Sequence, residues 1–176
     1  MKNLYLIGGT MGIGKTAVCQ SLKKKLDHSV FLDGDWCWDS DPFVVNNETK
    51  KMVMNNICYL LNSFLSCSVY ENIIFCWVMH EQAIIDEIVS RIDLENTHLH
   101  CISLIGDENT VVSHLRNDIE RGIREEAVIE RSLSRIRCYN TLSTVKIDVT
   151  NLSLEQIVEK IICRNEEETY DQRNHI

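Results

Sequence analysis

The chain has 176 residues and a formal charge of −8, with 18 basic against 26 acidic side chains. That length allows one ordinary domain with a substantial core, and the acidic balance argues against general nucleic-acid binding. No apolar run reaches membrane-spanning length and no signal-type segment opens the chain, which predicts a soluble, cytoplasmic protein without a membrane partner.

Leu4-Tyr5-Leu6-Ile7 reads as a buried strand that feeds Gly9-Thr10-Met11-Gly12-Ile13-Gly14-Lys15-Thr16, a match to G-x-x-x-x-G-K-[ST]. Such a loop cradles a triphosphate because its backbone N–H groups turn inward and its glycines let them approach closely. Residues Lys15, Thr16 and Ala17 open a helix whose positive end faces the same anion, continued by Val18, Leu22 and Leu26 at helical spacing. Lys15 is expected on the β- and γ-phosphates, and the Thr16 hydroxyl on Mg²⁺.

Ser29 to Leu32 form a second short strand ending in Asp33-Gly34-Asp35, followed by a polar, aromatic loop from Trp36 to Val45. Asn47 is the expected N-cap of a helix running to about Leu65, with Val53, Ile57, Leu60, Leu61 and Phe64 on one stripe. Asn72 to Met79 is almost continuously apolar, the pattern of a central strand buried on both faces.

Ala83, Ile84, Ile88 and Ile92 mark another helix, and His100 to Ile105 another strand. Asp107 or Glu108 begins a helix with Val111, Val112, Leu115 and Ile119 inward, stopped at Gly122. A helix from Glu125 to about Tyr139, a strand from Thr144 to Val149 and a helix from Leu154 to Ile162 complete the pattern, leaving 164–176 as a polar tail expected to fray. Strands alternating with helices specify a three-layer α/β/α domain over 1–163 around a five-stranded parallel sheet, with its site beyond the carboxyl ends of the strands.

The eight cysteines show no C-x-x-C spacing, and Cys58, Cys76, Cys101 and Cys163 lie in apolar segments, as small hydrophobes do in a reducing compartment. His98 and His100 share a strand face but have no further ligand nearby in sequence, so a metal site there is not expected.

With its glycine-rich loop and Phe31-Leu32-Asp33-Gly34-Asp35, the chain resembles the P-loop kinases of small metabolites and nucleotides, such as gluconate kinase, adenylylsulfate kinase and shikimate kinase. The resemblance implies a P-loop NTPase fold of the nucleotide-kinase type with a short helical lid at about 116–137, ATP and Mg²⁺ as cofactors, and a small-molecule acceptor. It carries to Asp33 a place near Mg²⁺ and to Asp35 contact with, or deprotonation of, the acceptor; D-G-D is also a common turn composition. The stretch holding Arg116, Arg121, Arg124, Arg131, Arg135 and Arg137 resembles the lid and adjoining helix of these kinases. By that likeness Arg116 stacks on the base, Arg121 or Arg124 clamps the phosphoryl group, and Arg135, four residues before Tyr139, faces substrate. Arg131 and Arg137 equally suit surface pairs with Glu125, Glu126 or Glu130.

No aspartate follows the third strand directly, so Asp33 is expected to do the metal work, with Glu81 as a possible helper. Trp36 and Trp38, which point the same way if that segment is extended, together with Trp77 and His80 suit a ring-bearing acceptor with hydroxyl or cationic groups; tryptophans also serve as core or rim packing. The reading that results is an ATP-dependent phosphotransferase, monomeric or homodimeric. Its alternatives are a nucleotide-dependent switch and a resistance protein that sequesters a drug. The absence of N-K-x-D weakens a GTPase reading.

Overall fold

In a computed structural model, which describes residues 1–173 with side chains through Arg164, the chain folds as alternating strands and helices. The strands are β1 (Lys2–Gly8), β2 (Ser29–Asp33), β3 (Asn72–Trp77), β4 (Thr97–Ile105) and β5 (Val145–Asp148). The helices are α1 (Lys15–Lys25), α2 (Asn47–Ser66), α3 (Gln82–Ser90), α4 (Glu108–Glu120), α5 (Ala127–Ile136) and α6 (Leu154–Arg173). No helix among the described residues is long and apolar enough to cross a membrane.

The strands pair in parallel in the order β2-β3-β1-β4-β5, which puts β1 at the centre and the apolar β3 beside it, with a neighbour on each side. Leu6 of β1 aligns with Phe75 of β3 on one side and with Cys101 of β4 on the other. Strand alternation then divides the core in two. Tyr5 and Ile7 pack with Val18, Leu22, Ile74, Leu104, Val111 and Ile157 on one face, while Leu4 and Leu6 pack with Ile57, Leu61, Phe75 and Ile88 on the other. The three-layer α/β/α architecture follows from those two apolar faces, each needing a layer of helices.

Several boundaries differ from the sequence expectation for local reasons. The cap of α2 is Asn46, not Asn47: its side chain accepts from Thr49 N while Thr49 Oγ1 accepts from Asn46 N, a capping box. β1 starts at Lys2, earlier than Leu4, because Lys2 N donates to the Asn96 carbonyl and Asn3 N to the Glu71 carbonyl. The buried residues of α3 are Ile85 and Ile88, Ile92 is buried just beyond the end of the helix, and Ala83 is exposed. β4 begins at Thr97, five of its residues being strand before Ile102, and His100 stacks on Tyr5 with ring centroids 4.9 Å apart. α5 stops at Ile136 and tightens into a 3-10 turn over Arg137–Thr141. α6 continues past Ile162 to Arg173, and residues 174–176 of the expected tail lie outside the described residues.

Trp36 and Trp38 diverge. The chain after β2 is a 3-10 turn over Gly34–Cys37 rather than an extended segment, so the two-residue alternation fails. Trp36 packs edge-on against Phe31, with centroids 5.2 Å apart, and Trp38 against Phe43 and Trp77 at 4.9 and 6.0 Å.

Candidate active site

The loops leaving the carboxyl ends of β1, β2 and β3 meet beside the start of α1. Gly9, Gly12 and Gly14 all have positive φ, at 157°, 81° and 100°, which lets residues 9–14 wrap into a loop that side-chain-bearing residues would resist. Gly12 is also crowded: an added Cβ would lie 2.6 Å from Leu115 Cγ on α4. Gly14 caps α1 without a side-chain hydrogen bond, and the first turn of α1 carries no acidic residue. The first N–H groups of α1 are therefore not taken up by a capping side chain, which is the condition for holding an anion.

Lys15 Nζ donates to the Thr10 carbonyl at 3.0 Å, curling back over the loop it follows. Burial pushes its pKa down, while the carboxylates of Asp35 and Asp33 pull it back up. An incoming polyanion would strengthen that opposing pull and hold the ammonium charged.

Thr16 Oγ1 donates to Asp33 Oδ2 at 2.9 Å, joining the first turn of α1 to the end of β2. Asp33 is 7% exposed and is held on three sides. Its Oδ1 accepts from Asp35 N at 3.1 Å, and its Oδ2 also receives the Cys76 thiol at 3.5 Å. A hydrogen bond with Cys19, then burial, push the Cys76 thiol pKa well up, so Cys76 acts as a neutral donor. Thr16 and Asp33 offer hard oxygen ligands, a donor set that suits Mg²⁺ with phosphate and water completing its shell. Among the described residues no group of three or more His, Cys, Asp or Glu side chains could hold a metal by itself, so the phosphates would have to share this one.

Asp35 stands beside this pair. Its Oδ1 accepts from Trp77 Nε1 at 3.1 Å. Burial and the Asp33 charge raise its pKa, and Lys15, the Trp77 hydrogen bond and Arg124 partly offset them. Gly34 is what allows this arrangement, since a Cβ there would lie 2.5 Å from Trp77 Cγ.

Of the arginines expected in a lid, Arg124 donates to Asp118 Oδ2 at 3.2 Å and its charge acts on both Lys15 and Asp35. Arg116 and Arg121 are exposed, and among the described residues no side-chain hydrogen bond or ion pair holds either. Arg135 is half-buried on α5 and its charge acts on Tyr139, whose buried hydroxyl has no hydrogen-bond partner among the described residues. His80 turns Nδ1 toward the Val78 carbonyl at 3.2 Å and Nε2 toward Glu81 at 3.3 Å, so Glu81 pairs with His80. Trp36 is 57% exposed and packs toward Phe31, away from the Trp38 and Trp77 pair. The structure thus brings together Lys15, Thr16, Asp33, Asp35, Trp77 and Arg124, with Trp38 at their edge.

Two residues at the loop were not singled out from sequence. Ser132 of α5 donates to the Met11 carbonyl at 2.6 Å and contacts Thr10 Oγ1 at 2.8 Å, and His114 Nδ1 of α4 lies 2.8 Å from the Gly12 carbonyl. A signal existed for Ser132, which is the polar member of the stripe Val128, Ser132, Ile136 at four-residue spacing.

A family model described as an AAA domain (AAA_18) matches residues 6–134. Shikimate kinase of Bacillus cytotoxicus is 26% identical over 178 aligned positions, covering 93% of this chain and 98% of that protein. A gluconokinase from Sinorhizobium meliloti 1021 superposes with a TM-score of 0.71 at 17% identity, covering 97% of each chain. The Deinococcus radiodurans tunicamycin resistance protein superposes at 0.72 and 18% identity, covering 93% of this chain and 95% of that one. The glycine-rich loop, the sheet order and these matches agree, and the chain belongs to the AAA-domain family of P-loop proteins, with the fold of the P-loop small-molecule kinases.

Proposed function

We propose that this protein is an ATP-dependent phosphotransferase that moves the γ-phosphoryl group to a hydroxyl of a small ring-bearing molecule. The observation that carries the reading is the meeting of Thr16 and Asp33 at 2.9 Å with Asp35 beside them, at the mouth of the loop that contains Lys15. Binding of a triphosphate alone would need only the loop; a second carboxylate placed next to the first has a use when an acceptor must be activated.

Lys15 and the loop amides hold the phosphates, and Thr16 and Asp33 hold Mg²⁺, which would supply charge neutralisation on the phosphate oxygens. Asp35 takes the proton of the acceptor hydroxyl as that oxygen bonds to the γ-phosphorus and the bond to the β-phosphate oxygen breaks, releasing ADP with the electron pair. Arg124 offsets charge on the transferring group. Trp77 and Trp38 offer apolar faces next to Asp35, with Arg135 as a further substrate contact. All eight cysteines are free, which fits the cytoplasm as the place of action.

The names of the relatives supply the first acceptors to try. The protein is incubated with Mg·ATP and shikimate, gluconate, tunicamycin, nucleosides, sugars and aminoglycosides, and each mixture is read by mass spectrometry for an added phosphate. One phosphorylated product made by wild type and not by Lys15→Ala supports the reading. ATP turnover that no acceptor accelerates, with no phosphorylated product, would defeat it.

A further inference from the structure

We infer that Thr10 and Ser132, assisted by His114, are positioning residues that hold the glycine-rich loop in its anion-binding shape from behind, so that α4 and α5 set nucleotide affinity. The inference rests on the nucleotide-binding part of the proposed function. Thr10 is 2% exposed and Ser132 0%, so water cannot substitute for either partner. Two hydroxyl hydrogens serve three contacts here. Ser132 Oγ donates to the Met11 carbonyl at 2.6 Å, and Thr10 Oγ1 donates to the Ser132 carbonyl at 2.9 Å with Ser132 Oγ at 2.8 Å. On the adjoining helix, His114 Nδ1 meets the Gly12 carbonyl at 2.8 Å, and Leu115 closes on Gly12.

Peptide planarity makes these contacts consequential. In a trans peptide the C=O and the N–H of the next residue point in opposite directions. Tying the Met11 carbonyl to α5 turns the Gly12 N–H away from α5, and tying the Gly12 carbonyl to α4 turns the Ile13 N–H away from α4. That second N–H donates to the Thr10 carbonyl at 3.4 Å, the same carbonyl that accepts from Lys15 Nζ. α4 and α5 therefore fix the direction of the N–H groups of the loop, and a shift of α5 would be felt at Met11 and Gly12.

The test compares wild type with Thr10→Val, Thr10→Ser and Ser132→Ala, by hydrogen exchange of the free proteins and by calorimetric titration with Mg·ADP. Thr10→Val and Ser132→Ala are expected to speed exchange in residues 9–16 while β1 and β4 stay protected, and to weaken Mg·ADP by about tenfold. Thr10→Ser, which keeps the hydroxyl, is expected to restore both. Wild-type exchange and affinity in Thr10→Val and Ser132→Ala would overturn the inference, as would a loss of protection spread evenly over the whole sheet. A wild-type protein that does not bind Mg·ADP would instead defeat the nucleotide reading, and with it the affinity half of this inference, leaving the exchange data to judge the brace.

Discussion

The Thr16 hydroxyl and the Asp33 carboxylate, 17 positions apart in sequence, share a 2.9 Å hydrogen bond that closes α1 onto the end of β2. Asn at 33 could still accept from Thr16 through its carbonyl oxygen, so Asp33→Asn is expected to keep the fold and lose the charge. Turnover of ATP should fall on the order of 100-fold, and the Mg²⁺ concentration needed for half-maximal rate should rise. Steady-state kinetics titrated with Mg²⁺ read both; an unchanged Mg²⁺ requirement would remove Asp33 from the metal site.

Lys15 gives a stability test with a definite sign. Burial lowers its pKa in the folded protein from the ordinary 10.5, so the charged side chain opposes folding at neutral pH, and that opposition fades only as pH rises toward 10.5. Lys15→Met is therefore expected to melt above wild type at pH 7. Mg·ADP, which should raise the wild-type melting temperature, should leave the variant where it is. A variant that melts lower and is still stabilised by Mg·ADP would contradict both halves.

Asp35 has the opposite charge and the same sense of strain. Its folded pKa is raised above the ordinary 3.8 by burial and by Asp33, so the folded protein binds that proton more tightly than the unfolded chain does. The ionised carboxylate then costs stability above the raised pKa, and the cost disappears below pH 3.8. Asp35→Asn should melt higher than wild type at pH 7 and lose that advantage on acidification. Catalysis runs the other way: activity should fall as pH drops through the raised pKa, because a protonated Asp35 cannot take the acceptor proton. Melting curves and pH–rate profiles of the two proteins separate these effects.

Much of this site was legible in sequence because it is local. Residues 9–16 carry a spacing that backbone chemistry demands, and Asp33 and Asp35 sit at the end of a strand whose apolar run is unmistakable. What could not be read depends on contacts between distant segments. The requirement for Gly34 comes from Trp77, 43 positions away, and the role of Ser132 comes from Thr10 and Met11, more than 120 away. The divergence of Trp36 from Trp38 has a different cause, a tight turn where Asp33 accepts from the backbone of Asp35 and defeats strand alternation.

Gly34 and Gly14 make a contrast in kind. At Gly34 a Cβ would sit 2.5 Å from Trp77 Cγ, so Gly34→Ala must move the indole and with it the hydrogen bond to Asp35. At Gly14 nothing lies within 4 Å of an added Cβ, and only the positive φ of 100° resists. Chemical denaturation should show Gly34→Ala losing about 1–3 kcal/mol by overpacking and Gly14→Ala about 1 kcal/mol by backbone strain. Quenching of tryptophan fluorescence should change in the first and not in the second.

Arg124 and Arg121 lie three residues apart, yet only Arg124 is fixed, by its 3.2 Å pair with Asp118, and only its charge acts on Lys15 and Asp35. A guanidinium held near the transferring group lowers the barrier by stabilising charge that develops in the transition state, whereas one in solvent is screened. Arg124→Ala is expected to cut kcat on the order of 100-fold with a much smaller change in the KM for ATP. Arg121→Ala should stay within about threefold of wild type in both constants, as surface substitutions usually do. Asp118→Asn removes the carboxylate that anchors Arg124 without touching the guanidinium, so its kcat should fall between those of the two arginine variants. Equal losses in Arg121→Ala and Arg124→Ala would mean that both guanidinium groups act on the transferring group and that the Asp118 pair does not single out Arg124.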